Sequence, residues 1–185
     1  MRGKKSKPMI SLLEDLEIRR QRTPFKTPIY IGIDPGWNGG VAIISGNSEP
    51  HLIKNPKTEN KMDDVRNMAD VIWVAKQLTT NVHIMIEKVW AFPKNSTRSA
   101  FSFGTNYGAW LGIVGGLDLS LQQVLPKEWM AFYDVKWGMK SVDRKKYLKK
   151  YAEKLYPDSY ITLATSDAIL IAHYLKQSVL NKEGK

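Results

Sequence analysis

Short apolar runs bounded by turn residues predict the strands of this chain. Residues 29–34 (IYIGID) form an apolar run that ends on a carboxylate, and they predict a buried β-strand. An Asn-Gly pair at 38–39 fits a tight hairpin turn, which predicts a returning strand at 41–45 and a weaker one at 51–54. Residues 82–87 (VHIMIE) predict another strand, and it also ends on an acid.

Apolar residues at helical spacing predict the helices that follow and separate these strands. The expected helices span 63–78, 98–118, 141–156 and 166–180, and a short strand at 119–125 ends at a proline. Strands that alternate with helices in this way indicate an α/β domain.

The helix at 98–118 has a glycine at every fourth position on one face, at Gly104, Gly108, Gly112 and Gly116. Each glycine lowers the stability of a helix by about 1 kcal/mol relative to alanine, so we expect this smooth face to serve a structural or functional purpose. We expect it to pack closely against another helix or the sheet, with a subunit interface as an alternative. Asn106, Tyr107 and Asp118 argue against a membrane span.

The helix at 141–156 is strongly basic on one side. Ser141 is expected to cap it, Asp143 favours its first turn, and Pro157 follows its end. Its basic side carries Lys145, Lys146, Lys149, Lys150 and Lys154, with Glu153 as the single acid there. This pattern favours contact with phosphates, and a merely solvated face is the alternative.

Acids stand at the ends of three predicted elements. Two strands joined by a helical crossover in one sheet tend to lie parallel, so Asp34 and Glu87 would finish at the same sheet edge. Neighbouring strands lie about 4.8 Å apart, close enough for two carboxylates to share a cation. Asp167 opens the last helix. Carboxylates are ligands for Mg²⁺ or Mn²⁺, although each acid taken alone is an ordinary cap or surface charge.

Composition and charge narrow the class of protein. The chain has 185 residues with 43% hydrophobic content and no cysteine, which fits one domain without disulfides or thiolate metal sites. The net charge is +10, and residues 1–28 and 127–154 each carry +5 while the remainder sums to zero. Two basic blocks suggest a polyanionic partner, and solubility alone is the alternative.

Residues 1–28 are interpreted as a basic N-terminal arm and residues 29–185 as the folded domain. The arm has neither a secretory apolar segment nor the composition of a transit peptide, and no run of about 18 apolar residues occurs. We therefore expect a cytoplasmic protein without membrane association.

Five motifs resemble, in order and approximate spacing, those of RuvC-type Holliday junction resolvases. They are IGIDPG, IEKVW, FSFGTNYGAWLGIVGGL, VLPKEW and SDAILIAHYL, and the resemblance covers residues 29–180. It implies an RNase H-like fold with a mixed five-stranded sheet flanked by helices. It also implies a homodimer that makes paired, Mg²⁺-dependent nicks in four-way DNA junctions. The compact sequence is similar to a phage or other divergent branch, which would act in the host cytoplasm.

The resemblance also implies roles for particular residues. Asp34, Glu87 and Asp167 match the metal-binding acids, which would hold two Mg²⁺ ions per site, with Mn²⁺ as a substitute. Trp90 matches an aromatic position that probes the junction. Lys127 matches a basic residue near the scissile phosphate.

Further DNA contacts are expected around these positions. Either Arg144 or Lys145 matches a second basic residue of the family. Lys146 and Lys149 belong to the basic helix face, and Phe92 lies in the aromatic loop after Glu87. Phe92 is equally well interpreted as a core residue.

One position departs from the family pattern. Three residues before Asp167 the family has a fourth ligand, Asp or His, and this chain has Ala164. Asp158 or a water could take over, one metal could bind weakly, or the chain could be an inactivated form.

Two other functions remain open at this stage. A junction-binding protein that has lost cleavage would follow from Ala164. An actin-like nucleotide-binding ATPase or kinase would also open with a motif like IGIDPG, but the chain is short for two lobes and lacks a recognisable second phosphate loop.

Overall fold

The structure is a computed structural model that describes residues 27–90, 96–136 and 138–184. The predicted N-terminal arm, apart from its last two residues, and Phe92 lie outside the described residues. The strands are β1 (Ile29–Asp34), β2 (Gly40–Ser45), β3 (His51–Lys54), β4 (Val82–Glu87) and β5 (Leu121–Val124). The helices are α1 (Lys61–Leu78), α2 (Thr97–Gly116), α3 (Pro126–Ala131), α4 (Ser141–Leu155) and α5 (Ser166–Glu183).

The five strands form one mixed sheet in the order β3-β2-β1-β4-β5. The hairpin partners β1 and β2 are antiparallel, as are β2 and β3. The crossover through α1 makes β4 parallel to β1, and β5 is parallel to β4. The mixed five-stranded sheet with flanking helices is therefore confirmed, and so is the parallel arrangement of the two strands that end on acids.

Alternating side chains of β1 enter two separate cores, because successive residues of a strand point to opposite faces. Ile31 and Ile33 pack with residues of α1 and α2, including Met68 and Trp110. Tyr30 on the opposite face packs with residues of α4 and α5. Three layers result, with the sheet in the middle.

Helix α5 lies almost directly on β1. The cause is Gly32, where a Cβ would collide with the backbone of Ala168 and Ala172. A glycine in this strand thus allows the backbones to approach each other. The N-terminal end of α5 is thereby brought beside the C-terminal end of β1.

Several expectations from the sequence were wrong in detail. The connection between β1 and β2 spans residues 35–39, longer than a two-residue turn, and Gly39 N–H donates to the Gly36 carbonyl at 2.8 Å. The N-cap of α4 is Lys140 rather than Ser141, because the helix begins one residue earlier than a serine cap would require. Helix α3 was not predicted.

The prediction that the glycine face of α2 packs against another element of the chain was also wrong. A Cβ added at Gly104, Gly108, Gly112 or Gly116 would meet nothing within 4 Å among the described residues. The buried side of α2 is instead formed by Asn106, Trp110 and Val114. Within the described part of the chain, no helix is long and apolar enough to cross a membrane.

Candidate active site

Asp34 ends β1 on the face that α5 covers. It lies two residues beyond Gly32, the point of closest approach to α5, and alternate strand residues share a face. Its carboxylate is half-buried and accepts a hydrogen bond from Gly36 N–H at 3.3 Å. The Asn55 side chain donates to the Asp34 carbonyl at 2.8 Å, which ties the strand end to the chain after β3.

Glu87 ends the neighbouring strand on the same face. Ile33 pairs with Ile86 in the parallel register, so Asp34 and Glu87 are the next residues along two adjacent strands. The Glu87 carboxylate is half-buried and accepts a hydrogen bond from Trp129 Nε1–H at 2.9 Å. This contact of Trp129 was not predicted from the sequence.

Asp167 is the second residue of α5. Packing of Ala168 on Gly32 places this helix end next to the end of β1. Ser166 Oγ donates to Asp167 Oδ1 at 3.2 Å, and the carboxylate is half-buried. The three predicted acids therefore come from two strand ends and a helix end that meet at one edge of the sheet.

Burial raises the pKa of all three acids, and neighbouring negative charge adds to the rise at Asp34 and Glu87. Burial raises the pKa of Asp34 to about 8, and the negative charges of Glu87 and Asp167 contribute to that rise. Burial also raises the pKa of Glu87 to about 7, an effect that the Trp129 hydrogen bond reduces and the Asp167 charge increases. The pKa of Asp167 is raised by burial as well. The protein thus compensates only in part for the negative charge that the site carries when all three acids are ionised.

Two cations at the start of α4 supply that partial compensation. The charge of Lys145 lowers the pKa of Asp34, Glu87 and Asp167, and the charge of Arg144 lowers that of Glu87 and Asp167. Lys145 is exposed and Arg144 is half-buried. The sequence left open which of the two faces the site, and the structure brings both near the acids.

The three acids are suitable ligand types for a metal ion, but their side chains are not close enough together in this structure to bind one. Among residues 27–90, 96–136 and 138–184, no group of three or more Asp, Glu, His or Cys side chains is arranged closely enough to hold one. The chemistry nevertheless fits a divalent cation, because three half-buried carboxylates with raised pKa values repel each other and offer hard oxygen ligands. Metal binding by Asp34, Glu87 and Asp167 remains a prediction.

The other predicted site residues are mostly exposed. Trp90, three residues beyond Glu87, has 47% of its surface exposed. Lys127 is exposed on α3, two residues before Trp129. Lys146 is exposed on α4, and Lys149 donates to the carboxylate of Glu153 one turn later. Phe92 lies outside the described residues.

Ala164 occupies the place where the resemblance leads one to expect a fourth ligand. Its carbonyl oxygen would lie 3.0 Å from a Cβ at Gly40, so this backbone packs against the start of β2. Asp158, one possible replacement, is exposed and lies in the connection between α4 and α5. The backbone at position 164 thus packs against β2, and the methyl side chain of Ala164 offers no ligand atom.

The sequence did not reveal the part that two further residues play in the site. Trp129 lies in α3, whose start carries Pro at its first position and Glu128 at its third, a typical helix beginning. That signal predicts the helix but not the contact with Glu87. Gly39 was assigned to a turn, whereas the structure requires it because a Cβ there would lie 2.7 Å from Asp34 Oδ2.

Comparison with solved structures identifies the fold. The RuvC of T. thermophilus in complex with a Holliday junction substrate has a TM-score of 0.60 and 13% sequence identity, covering 85% of this chain and 96% of that one. A second structure of Thermus thermophilus RuvC has a TM-score of 0.57 and 15% identity, covering 84% and 96%. No protein-family model and no curated protein matches the sequence. The chain therefore has the RNase H-like fold of the RuvC structures, as its motifs predicted.

Proposed function

We propose that this protein is a structure-selective DNA endonuclease that makes paired nicks in four-way junctions. The observation that carries the proposal is the meeting of Asp34, Glu87 and Asp167 at one sheet edge, where burial raises the pKa of all three and neighbouring negative charge adds to the rise at Asp34 and Glu87. A solved structure with the same fold is that of a RuvC bound to a Holliday junction substrate. Together these support a nuclease that acts on branched DNA.

The three acids would hold divalent metal, Mg²⁺ or Mn²⁺, with two ions per site. Bound metal would supply a nucleophilic water and stabilise the leaving oxygen of a phosphodiester. The carboxylates would give up their protons on binding, since a cation favours their ionised form. Asp34, whose pKa is raised to about 8, would hold a proton at neutral pH without metal and would release it when metal binds.

Basic residues of the chain would hold the scissile phosphate. Lys145 and Arg144 already act on the charges of the acids, so a phosphate bound at the acids would lie within their field. Lys127, exposed on the short helix α3, would add a further cation. Such fixed positive charge stabilises the negative charge that develops on the phosphate during hydrolysis.

Recognition of the junction would rely on shape. Lys146 and Lys149 on α4 would contact backbone phosphates, which carry no sequence information. Trp90, about half exposed and close to Glu87 in the chain, would stack on or wedge between bases at the branch point. Phe92 and the basic residues of the arm at 1–28 are further candidates for contact with DNA.

Two cuts on a two-fold symmetric junction require two sites, which supports a homodimer. One face of helix α2 is a candidate for the dimer interface. Gly104, Gly108 and Gly112 have open space around them among the described residues, and Phe101 on the same helix has 78% of its surface exposed. A smooth helix face beside an exposed aromatic ring is suited to close contact with a second copy.

A second candidate function is junction binding without cleavage. Ala164 favours it, because a site with one ligand fewer than the family pattern would bind metal more weakly. This candidate predicts tight, salt-sensitive binding to the junction and no metal-dependent nicks.

The proposal is tested with a labelled synthetic four-way junction and a linear duplex of the same sequence, each incubated with Mg²⁺, Mn²⁺ or EDTA. Paired nicks in the junction alone, absent with EDTA, are expected. A stable mobility shift without nicks would favour the binding protein, and A164D would then restore cleavage if the missing acid is the cause. Binding of ATP without binding of the junction would overturn both candidates.

A further inference from the structure

Trp129 forms a buried contact with one of the candidate catalytic acids. Its side chain is completely buried, and its indole N–H donates to Glu87 Oε1 at 2.9 Å. A hydrogen bond to an ionised carboxylate is stronger than one between neutral groups. A carboxylate oxygen held in this way loses freedom to rotate.

The helix that carries Trp129 is fixed close to Glu87. Lys88 N–H donates to the Val124 carbonyl at 2.8 Å, so the pairing of β4 and β5 continues just past Glu87. Helix α3 begins two residues after Val124. In its first turn, Glu128 accepts a hydrogen bond from Leu125 N–H at 2.9 Å. These contacts restrict movement of the Trp129 ring relative to the end of β4.

Tyr133 extends the contact to the helix of Asp167. Its ring packs edge-on against Trp129, with ring centres 6.2 Å apart at 68°. The Tyr133 hydroxyl donates to the Leu170 carbonyl at 2.6 Å and is itself buried. Leu170 lies one helical turn after Asp167 on α5. A continuous buried path therefore joins Glu87 to the helix that carries Asp167.

We propose that Trp129 is a positioning residue for Glu87. Its indole N–H holds Oε1, so that the carboxylate presents its other oxygen to a bound cation, and Tyr133 fixes this arrangement relative to the helix of Asp167. Residues that orient metal ligands in this way typically change metal affinity by about 10–100-fold when they are mutated. The inference rests on the proposed function, because it assigns Trp129 a part in the same site.

The chain offers a matched control in Trp110. This tryptophan is also completely buried, but its indole nitrogen has no hydrogen-bond partner among the described residues. It belongs to α2 and packs in the core on the other side of the sheet, with residues of β1 and α1. Tryptophan-to-phenylalanine changes at the two positions remove the same ring and the same N–H, and only one of them removes a bond to an acid.

The experiment compares Mn²⁺ binding by calorimetry for the wild type, W129F and W110F, with thermal unfolding to measure stability. We expect W129F to bind Mn²⁺ about tenfold more weakly, as for other residues that support a metal ligand, and W110F to stay within about twofold of the wild type. Equal affinities of W129F and the wild type, or equal losses in both variants, would overturn the positioning role. If the wild type binds no Mn²⁺, the proposed function fails, and the positioning role fails with it.

A second measurement does not depend on the folding of W129F. The indole ¹H–¹⁵N resonances of metal-free protein are compared between the wild type and E87A. Loss of the acceptor should move the Trp129 indole proton upfield and leave that of Trp110 unchanged. An unshifted Trp129 resonance would overturn the proposal, whatever the nuclease assay shows.

Discussion

Gly39 lies against Asp34, because a Cβ at position 39 would be 2.6 Å from its carboxyl carbon and 2.7 Å from Oδ2, and closer still to its backbone carbonyl oxygen. Separations this short do not occur between real Cβ atoms and their neighbours, so a side chain at position 39 would displace the acid. The pairing of Asp34 with Gly40 in the hairpin register keeps the two strands at this distance. The loop after β1 is thus shaped around its carboxylate.

G39A should therefore impair the site as well as the fold. Overpacking of this kind costs about 1–3 kcal/mol of stability, and movement of the Asp34 carboxylate should reduce junction nicking at least tenfold. N38A, a change at an exposed position of the same loop, is the control. Denaturant unfolding and nicking rates measure the two effects, and normal nicking by G39A would show that the position of Asp34 tolerates the added methyl group.

The raised pKa of Asp34 predicts a pH-dependent stability for the metal-free protein. With a pKa of about 8 in the folded state and about 4 in the unfolded state, Asp34 binds more protons when folded between these pH values. The free energy of unfolding should therefore fall as the pH rises from about 4 to 8. D34N removes this effect and should be about 1–3 kcal/mol more stable than the wild type at pH 8, with a much smaller difference near pH 4.

Urea unfolding of the wild type, D34N and D70N at several pH values checks this prediction. Asp70 is exposed on α1 and serves as the matched control. Addition of Mg²⁺ at pH 8 should stabilise the wild type and not D34N, because a ligand stabilises the state that binds it. A D34N advantage that is the same at every pH would show that the titration of Asp34 is not its cause.

Lys145 should contribute to catalysis more than its neighbours on α4. Its charge is among the main influences on the pKa of all three acids, and that of Lys150, also exposed on the same helix, is not. K145A should slow nicking by about 10–100-fold, the range for loss of one group that stabilises developing charge. K150A should change only the affinity for the junction and its salt dependence. Equal effects of both variants on the nicking rate would assign Lys145 to general phosphate binding.

The open glycine face of α2 predicts the site of dimerisation. Light scattering should give twice the chain mass for the wild type and the monomer mass for G108E, because a charged side chain would occupy the smooth face. Glutamate favours a helix more than glycine by about 0.5–1 kcal/mol, so the monomer should stay folded. Q77E on the exposed side of α1 is the control. A dimeric G108E would place the interface elsewhere.

Strands β1 and β4 could be predicted closely because each is a short apolar run with clear ends. Both β1 and β4 have the expected bounds, and the crossover rule predicted their parallel pairing. The meeting of Asp34 and Glu87 at one edge followed from these two facts alone. Helix α3 was missed because six residues are too few to show helical periodicity.

The remaining errors concern contacts between distant parts of the chain. A row of glycines shows that a helix face is smooth but not whether the same chain or another copy covers it. The bond from Trp129 to Glu87 joins residues 42 positions apart, and no local pattern encodes it. The raised pKa values of Asp34 and Glu87 arise from burial and from neighbouring negative charges, which require the folded arrangement.

The claim that Asp34, Glu87 and Asp167 form the catalytic centre of a junction nuclease is tested most directly with E87Q and D167N. Both variants keep the size of the side chain and remove its charge, and E59Q at an exposed position is the control. Binding to a four-way junction and nicking of it are measured on the same samples with Mg²⁺. We predict that E87Q and D167N bind the junction as tightly as the wild type and E59Q but make no nicks, whereas nicking by either variant at the wild-type rate would contradict a catalytic centre built on these acids.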